Sequence, residues 1–174
     1  MNRQCHNKKM QKTKATAERP YHFVESGLDN IYLVGIPVHV CEECGEQVPE
    51  IPKLAQLHDV IADGLLKKPA LLNGQEIRFL RKNLGLMATE FAKYLCTTPV
   101  SVSRWETGAQ EISKEHDSLI RYFYLRFKEE KTKLRIAQPS VAELSEIEKE
   151  SKNLCMNVRV GPRSMKTEFA EVAA

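Results

Sequence analysis

Apolar positions along the chain follow two different periods. Between residues 21 and 48 they run in short β-branched and aromatic blocks, YHFVES and NIYLVGIPVHV, around the turn signal SGLDN and ahead of a tight CEECGE loop. Such blocks predict strands. From Leu54 the spacing widens: Leu54, Leu57, Ile61 and Leu65 recur every three or four positions, which predicts a helix, and KKPALLNG after it predicts a hinge. The ends of the chain are mostly polar. The first 20 residues are expected as a loose arm, SVAELSEIEKE as one short helix capped by Ser140 with Glu143, and VGPRSMKTEFAEVAA as loose chain.

Residues 73–130 predict four helices. The first has Asn73 as N-cap, Glu76 three residues on, the stripe Ile77, Leu80, Leu84, and Gly85 as a stop. The second runs from about Met87 to Leu95. The third is ambiguous at first sight, because TTPVSVSRWETG (97–108) alternates like a strand. Thr98 before Pro99 is nevertheless a helix start. At about 100° per residue, Val102 and Trp105 share one face while Val100, Ser103 and Arg104 take the opposite one. A strand would expose Trp105 or bury Arg104, so a helix is expected. The fourth begins at Ser113 and carries Leu119, Tyr122 and Phe123 on one stripe and Ile120, Tyr124 and Phe127 on another. That is more apolar circumference than one small core covers, so a homodimer joined through the helical half is expected, with a fold-back of residues 131–174 as the rival. Arg81 falls at the spacing of the first helix's apolar stripe and is expected to pair with Glu106.

Charge divides the chain further. The formal total is +3 over 174 residues, yet residues 1–19 carry +5, residues 20–66 carry −7, residues 67–130 carry +3 and residues 131–174 carry +2. The two halves are expected to meet different partners. The longest apolar stretch, IYLVGIPVHVC (31–41), is broken by Gly35 and Pro37 and too short for a bilayer, so a cytoplasmic chain without a membrane partner is expected. Five cysteines, an odd number, do not suit a disulfide framework. Cys96 and Cys155 are expected as small apolar residues.

A short helix joined by a tight turn to another, with small polar groups and one arginine facing outward, has the plan of a helix-turn-helix recognition helix. Small Ser103 lets the backbone approach a major groove, and Arg104 reaches guanine O6 and N7 with two hydrogen bonds. LGLMATEFAKYLCTTPVSVSRWETG resembles the repressor-type (Xre-like) helix-turn-helix. With EIRFLRKNLGL and the preceding CEECGE module, residues 5–130 resemble the MqsA-type antitoxins, in which an N-terminal zinc-finger module is fused to a DNA-binding helix-turn-helix. The resemblance implies Arg104 as base reader, Val100 and Pro99 flanking it in the groove, and Thr89, Lys93, Thr98 and Thr107 near the phosphates, with Ser101 and Ser103 completing the DNA-binding set. The chain departs from the pattern at Met87-Ala88, where the family has Ser-Gln. This departure removes a cap and a phosphate-contacting amide.

Cys41-Glu-Glu-Cys44 is half of a zinc knuckle, since thiolates two residues apart can reach one tetrahedral ion. The resemblance implies a second pair near the N-terminus, where this chain has Cys5-His6-Asn7-Lys8, with Lys8 in place of the second cysteine. Cys5, Cys41 and Cys44 are therefore the candidate zinc ligands, with His6, His22 or His39 as substitutes, against a metal-free module. No βαβ context surrounds the CxxC, and no His-x-Glu precedes a Pro-Cys-x-x-Cys, so redox and deaminase chemistry are not expected and the chain is not read as an enzyme.

The expected fold class is α+β. A small β-rich, zinc-finger-like module with a trailing helix (1–66) precedes an all-α repressor-like helix-turn-helix domain (73–130) and a partly helical or disordered extension (131–174). The resemblance implies an antitoxin of a type II toxin-antitoxin pair that binds palindromic operator DNA as an autorepressor and masks a small basic, mRNA-cleaving toxin. Two other classes stay open. One is a stand-alone transcriptional regulator whose first module senses a metal or ligand; the other is an adaptor that no longer binds DNA.

Overall fold

The computed structural model describes residues 10–132, 154–161 and 164–171. It has an α+β fold in two compact units, Met1–Val60 with Leu154–Ala174 and Ile61–Asn153. The division falls inside a helix, α1 (Leu54–Leu66).

The first unit holds two sheets. In one, β4 (Pro37–Cys41) lies between β1 (Met10–Lys14) and β5 (Gln47–Pro49), both antiparallel to it. In the other, the order is β2 (Tyr21–His22), β3 (Ile31–Val34), β6 (Leu154–Val160), β7 (Met165–Glu171), with β3 and β6 parallel and the outer pairs antiparallel. Two expectations are corrected here. Residues 10–14 belong to a strand rather than a loose arm. All five side chains of β1 are exposed, so main-chain pairing with β4 holds it, and no apolar alternation announces it. The stretch around VGPRSMKTEF forms β6's end and β7 rather than loose chain. Leu154, Met156, Val158 and Val160 are buried at every second position, the period of a half-buried strand. The short helix expected near Ser140 lies outside the described residues. Gly35, at φ +92°, sits where this sheet closes, and a β-carbon on it would meet the Val160 carbonyl oxygen at 2.5 Å.

The second unit takes in the end of α1 and four further helices: α2 (Gly74–Asn83), α3 (Ala88–Tyr94), α4 (Pro99–Thr107) and α5 (Lys114–Thr132). The α2 start is a reciprocal cap, in which the Asn73 side chain accepts from Glu76 N–H (2.9 Å) and Glu76 Oε2 accepts from Asn73 N–H (2.8 Å). The segment before it is not a hinge. Arg121 of α5 donates to the carbonyls of Leu65 (3.2 Å), Leu66 (2.9 Å), Lys68 (2.9 Å) and Ala70 (2.8 Å), and its Nε reaches Asp117 at 2.7 Å. Asp117 in turn accepts from Leu72 N–H at 2.8 Å, and Lys68 pairs with buried Glu76 at 2.9 Å. The open carbonyls at the end of α1 thus find donors in one guanidinium, and KKPALLNG becomes a bolted strap.

The apolar surplus expected on α5 is partly taken up within the unit. Ile120, Tyr124 and Leu125 are buried. Tyr94 of α3 lies on Phe123 (4.8 Å between ring centroids) and edges Phe127 (5.9 Å). Leu119 and Tyr122 remain exposed. No helix of the described residues is long and apolar enough to cross a membrane.

Candidate nucleic-acid interface

The recognition helix α4 is fixed at both ends by its own sequence. Thr98 Oγ1 accepts from Ser101 N–H at 3.1 Å, Pro99 opens the first turn, and Gly108 at φ +73° ends the helix. Val102 and Trp105 face the core at 0% and 4% exposure, and the Trp105 ring lies 4.9 Å from that of His116. The opposite face is open. Pro99, Val100 (59% exposed), Ser103, Arg104 and Thr107 are exposed, with Ser101 half-buried beside them. Thr98 is exposed at the start of the helix, and Thr89 and Lys93 are exposed on α3.

Two of these hydroxyls already have work in the helix. Thr107 Oγ1 donates to the Ser103 carbonyl at 2.9 Å, and Thr98 Oγ1 serves as the cap and shares a bond with Ser101 Oγ at 2.9 Å. Arg104 differs: its guanidinium carries no hydrogen bond or ion pair with any described residue. It is therefore a charged fork held ready for an external acceptor.

Position comes from the residues behind α4. Arg81 of α2 grips Glu106 with two bonds, Nε to Oε1 at 2.5 Å and the terminal nitrogen to Oε2 at 2.9 Å, and its other nitrogen donates to the Leu86 carbonyl at 2.8 Å. The pair expected from sequence is present. One arginine therefore ties α2, the turn into α3 and the end of α4 together. Its bond to Glu106 raises the guanidinium pKa further above its ordinary value. The side chains are only 11% and 8% exposed, so water screens the pair weakly.

Sequence reasoning missed two backbone positions. Gly74, within the expected hinge, packs so closely that a β-carbon would stand 2.4 Å from the Trp105 carbonyl oxygen and 2.7 Å from that of Glu106. Cys96, expected as an ordinary apolar residue, is exposed and turns the chain between α3 and α4 at φ +50°. Thr97 N–H then returns to the Ala92 carbonyl at 2.9 Å. Spacing carries no mark of the first; the second is visible only as the place where a helix must stop before Pro99.

In the first unit Cys41 and Cys44 bracket a tight turn, closed by Gly45 N–H to the Cys41 carbonyl (3.0 Å) and Cys41 N–H to the Glu46 carbonyl (2.9 Å). Cys41 is buried and Cys44 exposed. His39 bonds Glu50 at 2.5 Å, and His22 stacks on Tyr32 and meets the Asp29 carbonyl. Among the described residues no three His, Cys, Asp or Glu side chains gather as a metal site. Two thiols fall short of the four ligands of a structural zinc; Cys5 and His6 lie outside the described residues.

Residues 77–116 match the family model described as Helix-turn-helix. No curated protein and no solved structure matches the chain. The span from α2 into the start of α5 is therefore a helix-turn-helix domain of the DNA-binding kind, carried on a chain whose other unit holds two sheets.

Proposed function

We propose that the protein is a transcriptional regulator of the antitoxin type, not an enzyme, in which α4 reads operator DNA and the acidic stretch 20–66 occupies a small basic toxin. One observation carries the DNA reading: Arg104 stands free and exposed on a helix whose other face is locked by Trp105 and by the Arg81–Glu106 pair. A bidentate arginine–guanine contact discriminates by about 1–3 kcal/mol. Arg104→Ala is accordingly expected to weaken binding to the chain's own promoter about tenfold or more while leaving binding to random DNA nearly unchanged, as read by anisotropy titrations at fixed salt. Equal loss on both DNAs would reject Arg104 as the base reader. Binding as a homodimer would set two such helices roughly 34–36 Å apart on a palindrome.

The toxin reading is supported by the acidic stretch 20–66, in which Glu25, Asp29, Glu42, Glu43, Glu46, Glu50 and Asp59 are all exposed. A basic ribonuclease suits that field. Co-purification with the product of the adjacent gene tests it, and a neighbour that encodes no small basic protein favours the stand-alone regulator.

A specific feature supports a metal-sensing variant of that second reading. Met10 pairs with Cys41, so chain leading from Cys5 to Met10 has at most about 18 Å to reach the Cys41–Cys44 turn. Zinc held by Cys5, Cys41, Cys44 and a His or water would be exchangeable. The expected result is about one zinc ion per chain, lost in Cys41→Ser; a well-folded chain without metal rejects it.

A further inference from the structure

We infer that β7 is a self-pairing edge through which two copies of the chain join their sheets, antiparallel, about a two-fold axis at Thr167. The inference moves the seam of the homodimer proposed above from the helical half, where α5 led it to be expected, to the sheet unit, and it rests on β7 alone. Among the described residues β7 pairs only with β6, and its outer edge runs for seven residues without a proline or glycine. An edge of that kind is a template for another strand.

The direction of its main-chain groups follows from the hairpin. Gly161 N–H donates to the Ser164 carbonyl at 2.9 Å, so positions 161 and 164 form a hydrogen-bonded pair. Pair types alternate along the antiparallel ladder. Val160↔Met165, Val158↔Thr167 and Met156↔Phe169 are then the non-bonded pairs, which turns the N–H and C=O groups of Met165, Thr167 and Phe169 away from β6. These groups can bond a partner strand without disturbing β6.

Charge then selects the partner and the register. Lys166 and Glu168 are exposed on one face, while Met165, Thr167 and Phe169 are half-buried on the other. Centring two copies on Thr167 sets Met165 against Phe169 of the second copy in bonded pairs, and Lys166 against Glu168 of the second copy in the closer non-bonded pairs, each twice by symmetry. Sliding by one pair in either direction sets Lys166 against its own copy or Glu168 against its own copy. Shifts of one residue mismatch the outward groups. An exposed lysine on an edge ordinarily repels foreign strands; here the residue two positions on makes it complementary to the same strand reversed. Opposite charges stabilise cross-strand pairs and like charges weaken them, so only one register is both bonded and charge-matched. Two four-stranded sheets would become one continuous sheet.

Sedimentation equilibrium of the full chain without DNA tests the seam. The wild type is expected to dimerise, and Lys166→Glu and Glu168→Lys, each creating two like-charge pairs, are each expected to dissociate roughly tenfold or more easily. The double variant K166E/E168K should recover dimerisation. An equimolar mixture of the two single variants should form heterodimers, because every cross-strand pair is again opposite in charge. Circular dichroism of each variant establishes that it is folded. A wild type that stays monomeric leaves the edge for a strand of some other protein and overturns the inference. Single variants that dimerise as well as the wild type, or a mixture that fails to associate, do the same. None of these outcomes bears on Arg104 and the promoter, which are read separately.

Discussion

At Gly74 the first turn of α2 runs against the carbonyls that end α4, leaving no room for a β-carbon. Alanine normally favours a helix over glycine by about 1 kcal/mol, but here it would push on backbone, not on a flexible side chain. Gly74→Ala is expected to destabilise the second unit by about 1–3 kcal/mol in thermal or urea unfolding and to weaken DNA binding by tilting α4. Cys96 poses the reverse case. It holds a left-handed backbone (φ +50°) that an L side chain adopts at a cost of about 1–2 kcal/mol, and its side chain is exposed. Cys96→Gly should therefore raise stability by about 0.5–1 kcal/mol after the extra freedom of the unfolded glycine is counted. Lower stability would mean the thiol contributes a contact that outweighs the strain.

At the scale of elements, the Arg81–Glu106 pair does for α4 what packing alone does not: it fixes the end of the helix nearest Arg104. Removing one partner strands a charge at low exposure, and Glu106→Ala is expected to cost about 3–5 kcal/mol, less if water enters the site. A double variant that removes both charges should recover part of that loss, as a double-mutant cycle would measure. This pair was legible in sequence because Arg81 breaks an apolar helical stripe and so demands a partner. The helices α2 to α4 were legible for similar local reasons: Asn73, Thr98, Pro99, Gly85 and Gly108 mark their ends. The strands β1 and β7 were not. β1 buries no side chain and exists through main-chain bonds to β4, and β7 alternates about a polar Thr167 with an inner face that is only half-buried, so its period of two carries little apolar contrast. KKPALLNG looks like a hinge from its proline and glycine alone, since the guanidinium that bolts it arrives from Arg121, some fifty positions away.

For the whole molecule, the pairing of β3 with β6 was beyond the reach of pattern. Parallel neighbours need a long connection, and Ile31 meets Met156 only after the entire helical unit has intervened. A chain ending at Thr132 should consequently keep its helix-turn-helix while losing the first unit. Ile31 and Leu33, fully buried with β6 in place, would lie on an open edge. Hydrogen exchange on the shortened chain is expected to show protected amides across α2–α5 and rapid exchange in β3; protection of β3 would mean that the first sheet stands without its C-terminal strands.

The same pairing sets an order of events during synthesis. Every contact of the helix-turn-helix described above is available once α5 has left the ribosome, whereas β3 waits for β6 and β7 at the far end of the chain. Translation should therefore release a finished helix-turn-helix tethered to an unfinished sheet, and for that interval the two units exist in different states of folding.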